Sequence, residues 1–116
     1  MNEFIYEKNI LKTEAFEVIF QHDINCVLKI DNMFLVLLII PLGSNEVDNL
    51  FGVDLEGLIK WRVQNANEAF GTLKNTPYVL ISAVDYQTVK VTSFFGLRFT
   101  VSIIDGKLHD IEHIRW

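Results

Sequence analysis

Phe51-Gly52-Val53-Asp54-Leu55-Glu56-Gly57-Leu58-Ile59-Lys60-Trp61 carries two runs of apolar–polar alternation around a short polar turn, and the second run ends on a tryptophan. Alternation of period two is the signature of a strand with one buried face, and glycine beside an acidic residue supplies the turn between two such strands. The stretch therefore reads as a β-hairpin, Leu50 to Asp54 and Leu58 to Val63, with Leu55-Glu56-Gly57 at its tip. A similar unit, Phe99-Thr100-Val101-Ser102-Ile103-Ile104-Asp105-Gly106-Lys107-Leu108, lies near the C-terminus and turns on Asp105-Gly106.

Outward from these units the same pattern recurs. Glu14 to Gln21 fits a strand with both faces partly apolar. Cys26 to Ile30 turns at Asp31-Asn32 into Met33 to Ile40, a nearly continuous apolar run that predicts a strand buried on both faces. Pro41 has no amide proton to give a ladder and ends that strand. A polar connection, Pro41 to Asn49, leads into the hairpin quoted above. Asn65 to Thr72 predicts a short helix capped by Asn65 or Asn67 and stopped at Gly71. A longer amphipathic helix is predicted over Phe4 to Phe16, although Thr13 and the β-branched residues oppose it. After Pro77, Tyr78 to Val84 and Thr88 to Thr92 form a hairpin about Asp85-Tyr86-Gln87. Leu97 to Ile104 and Lys107 to Ile114 complete the pattern. The expected fold is mainly β, with roughly eight to ten antiparallel strands in blade-like hairpins. They would form a curled sheet or small sandwich with one or two short helices, and residues 1–116 would be a single β-rich domain.

Composition narrows the function. Half of the 116 residues are hydrophobic and nine are phenylalanine, which excludes intrinsic disorder. Fifteen acidic and ten basic side chains give a formal charge of −5. That sign argues against direct nucleic-acid binding, which wants a positive surface, and suits a basic protein partner. Cys26 is the only cysteine, so neither an internal disulfide nor a cysteine-cluster metal site is expected, and its apolar neighbours Val27 and Leu28 make it a buried structural thiol. Met33 to Leu42 is the most apolar segment. It is half the length of a membrane helix, which needs about 20 residues, and no secretory signal pattern opens the chain. A cytoplasmic protein with no membrane association is the expectation.

One short motif bears on catalysis. His109-Asp110-Ile111-Glu112-His113 matches H-x-x-E-H, in which two histidines four apart on a helix hold zinc and the glutamate activates water. Here the segment follows an Asp-Gly turn in strand-rich surroundings and lies close to the last residue, so the expectation is a solvated edge strand. There Asp110 and Glu112 share a face with Ile114 and Trp116. A small metal-dependent enzyme using His109, Glu112 and His113 stands only as an alternative, and no metal or other cofactor is expected. The glycines match neither dinucleotide nor nucleotide-triphosphate loops, and none of the four serines lies in G-x-S-x-G. Most carboxylates read as turn formers or as a solvated face. Trp61, Tyr78, Tyr86, Phe94 and Phe95 read mainly as packing residues, whereas Trp116 is harder to bury and suits an interface anchor.

Leu50 to Trp61 resembles the repeat of quinoprotein-type β-propellers, in which an alternating strand ending in Asp turns through Gly to a Trp. The second copy, Leu97 to Leu108, keeps the alternation and the Asp-Gly turn without the Trp. The resemblance implies blade-like antiparallel hairpins and carries no quinone site. The order of hairpins, Val27 to Ile40, Leu50 to Val63 and Pro77 to Leu108, also resembles small bacterial proteins that include immunity proteins of polymorphic and contact-dependent toxin systems. That resemblance implies a non-enzymatic inhibitor that occludes a cognate toxin domain, such as a basic nuclease. The contacting set would be Glu46, Asp48, Glu56, Asp85, Asp110 and Glu112, with Trp116 as anchor. A structural or regulatory binding module is the alternative, and the oligomeric state is left open.

Overall fold

The computed structural model describes residues 3–71 and 76–114. Within them the chain forms β1 (Phe4–Glu7), β2 (Ile10–Thr13), β3 (Glu17–Ile19), β4 (Ile24–Ile30), β5 (Met33–Leu38), β6 (Leu50–Asp54) and β7 (Ile59–Arg62). One short helix, α1 (Ala66–Phe70), precedes β8 (Tyr78–Ala83), β9 (Thr88–Ser93), β10 (Leu97–Ser102) and β11 (Leu108–His113). Every pairing is antiparallel between neighbours in sequence. The strands divide into three meanders: β1-β2-β3, then β4-β5-β6-β7, then β8-β9-β10-β11.

The three meanders pack by their faces, and β5 shows why. Phe34, Val36 and Leu38 join Leu11, Phe20, Ile24, Val27 and Val53 in one core, under the first sheet. Leu35 and Leu37, on the opposite face, join Trp61, Tyr78, Val89, Val91, Phe99 and Val101 in the other, under the third sheet. The second sheet is thus the middle layer, and the unbroken apolar run of β5 is buried on both sides as its sequence predicts. The expected curled, propeller-like sheet does not form. Ladder hydrogen bonds stay within each meander, and side-chain burial between faces joins one meander to the next, helped by a few hydrogen bonds outside the ladders. The two similar sequence units mark the last hairpin of each four-stranded meander, β6–β7 and β10–β11.

The long helix expected over Phe4 to Phe16 is replaced by the β1–β2 hairpin, with Phe4 opposite Thr13 and Glu7 opposite Ile10. Period two wins because it turns Leu11 and Phe4 onto the Phe34 face of the middle sheet, with Phe4 and Phe34 meeting edge-on at 5.3 Å. The short helix is where the sequence puts it. The Asn65 side chain accepts hydrogen bonds from the amides of Asn67 and Glu68, and Gly71 ends the helix at φ 66°, a left-handed conformation that glycine adopts freely.

Two buried side chains, among other contacts, fix the third sheet on the second. Trp61 is buried with its indole N–H donating to the Ile103 carbonyl at 2.7 Å. Asn49 is also buried; its Nδ2 donates to the carbonyls of Leu38 and Tyr78, and its Oδ1 accepts from the Tyr78 amide at 2.8 Å. A buried amide that satisfies backbone groups from two sheets sets their relative position.

Candidate functional site

Antiparallel meanders send alternate turns to the same end of a sheet. In the second sheet the β4–β5 and β6–β7 turns share one end, and in the third the β8–β9 and β10–β11 turns do. Stacking the sheets brings all four turns around one cleft of about 660 Å³. Asp31, Asn32 and Met33 come from the first turn, Asp54 and Lys60 from the second hairpin, and Tyr86, Gln87 and Thr88 from the third. Ser102, Ile103, Ile104 and His109 complete the wall from the fourth. The volume lies within the range of about 300–1,000 Å³ usual for ligand sites. Met33, Ile103 and Ile104 give it apolar walls, and the Tyr86 ring stands at its edge, 68% exposed.

Three of the four turns are built on the same device, an aspartate that accepts the amide two residues ahead. Asp54 Oδ1 accepts from Glu56 N at 2.8 Å and Leu58 N at 3.0 Å. Asp85 Oδ1 accepts from the amides of Gln87 and Thr88 at 2.8 and 2.9 Å and from the Thr88 hydroxyl. Asp105 Oδ1 accepts from Lys107 N at 3.0 Å. Hydrogen bonds to a carboxylate favour its charged form. The Leu58 amide holds the Asp54 carboxyl below its ordinary pKa, and the Gln87 amide does the same for Asp85. Two of these turns therefore hold ionised carboxylates, Asp54 and Asp85, in fixed positions at the cleft end. In the remaining turn Asp31 sits at φ 52°, a left-handed conformation that aspartate tolerates better than most residues.

Of the residues expected to contact a partner, the fold brings Glu56 and Asp85 to this end, both exposed. Glu46 lies on the long β5–β6 connection at the opposite end, paired with the His22 imidazole. Asp48 is on the same connection, where its Oδ2 accepts from Asn65 Nδ2 at 3.0 Å and its buried Oδ1 has no hydrogen-bond partner among the described residues. Burial, and after it the Asp48 charge, push the Tyr78 phenol well above its ordinary pKa. Glu112 is on β11, bound to Lys90 at 3.1 Å and Arg98 at 3.7 Å, and Asp110 is exposed beside it. Trp116 lies outside the described residues. The acidic set is therefore divided over both ends and the third sheet, rather than gathered in one patch. Asp31, Ile104 and His109 enter the cleft instead. Asp31-Asn32 is legible as a turn, yet no local signal says that this turn faces the other three.

The metal-enzyme alternative is overturned. His109 to His113 lies in strand β11, with His109 as the extra residue of a bulge opposite Thr100 and Val101. Four residues of strand set the two histidines about 13 Å apart, whereas zinc needs both nitrogens about 2 Å from the ion. Among the described residues no three of His, Cys, Asp and Glu are grouped to hold a metal. Cys26 is half-buried against the core between the second and third sheets, and burial raises its thiol pKa. Among the described residues no helix is long and apolar enough to cross a membrane.

Compared with curated proteins and with solved structures, the chain matches none. The resemblance to quinoprotein repeats and to immunity-type proteins gives way as a family assignment, since three separately bonded sheets replace the blade-like curl and a family model of another description covers residues 1–113. By that match the chain belongs to the family of the domain of unknown function DUF7957.

Proposed function

We propose that this chain is a non-catalytic binding module that seats a basic protein partner at its four-turn end and acts in the cytoplasm by stoichiometric occlusion. The partner of this kind that the charge balance and the missing catalytic signatures suit is a cognate toxin domain. One observation carries the reading: Asp54 and Asp85, held ionised by turn amides, stand at the end of the sheets where an apolar cleft opens, edged by an exposed tyrosine. Fixed charge steers a basic protein in, and apolar surface holds it once docked. Because the amides hold Asp54 and Asp85 in place, little side-chain entropy is lost when they meet a cation.

The test is co-expression with the product of the gene immediately upstream. A one-to-one complex that relieves that product's toxicity supports the reading, and the absence of both complex and toxicity overturns it. Neutralising the rim, with Asp54→Asn, Glu56→Gln and Asp85→Asn together, is expected to slow association about tenfold at low salt and to change dissociation much less.

A further inference from the structure

Within the cleft, two carboxylates, Asp31 and Asp54, face one ammonium, Lys60. Asp54 is drawn on by its turn amides and by the Lys60 charge. The Asp31 carboxylate is different. Among the described residues it takes part in no ion pair, and Lys29 Nζ donates to the Asp31 backbone carbonyl instead, at 3.0 Å. The cleft lining thus carries two carboxylates against one ammonium, with an Asp31 carboxylate in no ion pair, beside an exposed aromatic ring and an apolar wall. These features ask for one kind of side chain, with a long apolar stem, a cationic head and a planar face.

We infer that the cleft is the seat of an arginine side chain presented by the basic partner, an assignment that rests on the binding-module reading above. The guanidinium stacks on Tyr86 while its fork of N–H donors meets the Asp31 carboxylate, and the methylene stem lies along Met33 and Ile104. Arginine suits this better than lysine because its head is planar, more weakly hydrated, and able to stack and form paired hydrogen bonds at once.

Chemical-shift mapping of the ¹⁵N-labelled protein with Nα-acetyl-arginine amide tests the assignment. Saturable shifts are expected at the amides of Asp31, Asn32, Tyr86, Gln87 and Ile104. The citrulline analogue, of the same shape without the charge, is expected to bind about tenfold more weakly. Asp31→Asn and Tyr86→Ala should each weaken arginine binding several-fold. Both sites are exposed, and asparagine keeps the left-handed backbone that residue 31 requires. Equal binding of citrulline, equal binding of the lysine analogue, or no saturable shift at these amides overturns the assignment. If a toxic partner binds the chain while the arginine probe leaves the cleft untouched, the arginine seat falls and the binding-module reading stands. Arginine bound in the cleft with no partner complex keeps the seat and removes the occlusion reading.

Discussion

Trp61 is held from both sides by residues that have no side chain. A Cβ at Gly52 would stand 2.3 Å from Trp61 Cε2, and one at Gly106 would stand 2.5 Å from Cε3. The indole is thus the joint between the second and third sheets, and its fit depends on two bare backbones. Gly52→Ala should lower stability by about 1–3 kcal/mol through overpacking; urea unfolding followed by tryptophan fluorescence checks it. An unchanged midpoint would mean that the indole has room to shift. Asn49 and Tyr78 make a contrasting pair. Asn49→Ala strips partners from buried backbone groups of Leu38 and Tyr78, and the expected loss is about 3 kcal/mol, with each orphaned group contributing 1–3. Among the described residues the Tyr78 hydroxyl has no hydrogen-bond partner to lose. Tyr78→Phe is expected to be neutral or to raise stability by about 1 kcal/mol. A marked loss in that variant would show that the hydroxyl is satisfied in solution.

At the scale of elements, the hairpin turns set the acid response. Asp54 and Asp85 both titrate below their ordinary range because turn amides bind the ionised carboxylates. A folded pKa below the unfolded one gives stability that is complete above the unfolded value, near 3.9, and is lost as pH falls through the folded value. The chain should therefore weaken on acidification below about pH 4. Asp54→Ala with Asp85→Ala should be less stable at neutral pH and respond less to acid, as urea midpoints from pH 7 downward would reveal. Parallel curves for the variant and the parent chain would sink the argument. These turns were legible residue by residue, since Asp-x-x-Gly, Asp-Tyr-Gln and Asp-Gly are local signals, as were the Asn65 cap and the Gly71 stop. The N-terminal hairpin was not legible. A short apolar run is ambiguous between periods, and the deciding partner of Leu11 is Phe34, far along the chain. The cleft was hidden for the same reason. Each of its turns is local, but their convergence depends on how two sheets stack, and no residue of one turn encodes its neighbour across the gap.

Across the whole molecule the consequence is that β5 belongs to two cores at once. Phe34 and Leu35 are adjacent in sequence, almost fully buried, and point into different cores. In a two-layer sandwich one of them would face solvent, and truncating it would cost little. Here Phe34→Ala should cost about 3–5 kcal/mol and Leu35→Ala about 2–5 kcal/mol. The more informative readout is where the loss spreads. The first sheet is a three-stranded piece of short strands, too small to sustain a core of its own, so its order depends on the middle sheet. The middle sheet depends on it in turn, because Phe34, Val36 and Val53 would otherwise lie bare on that face. If this dependence is mutual, the three layers unfold as one unit. Phe34→Ala would then reduce hydrogen-exchange protection at Val89, Val91 and Val101 in the third sheet by the same free energy as it lowers the global midpoint. Those amides lie a full layer away from the substitution, on strands that pack into the other core. Protection unchanged there, with exchange accelerated only in β1 to β3, would show that the first sheet opens by itself and that the middle sheet tolerates the exposed face.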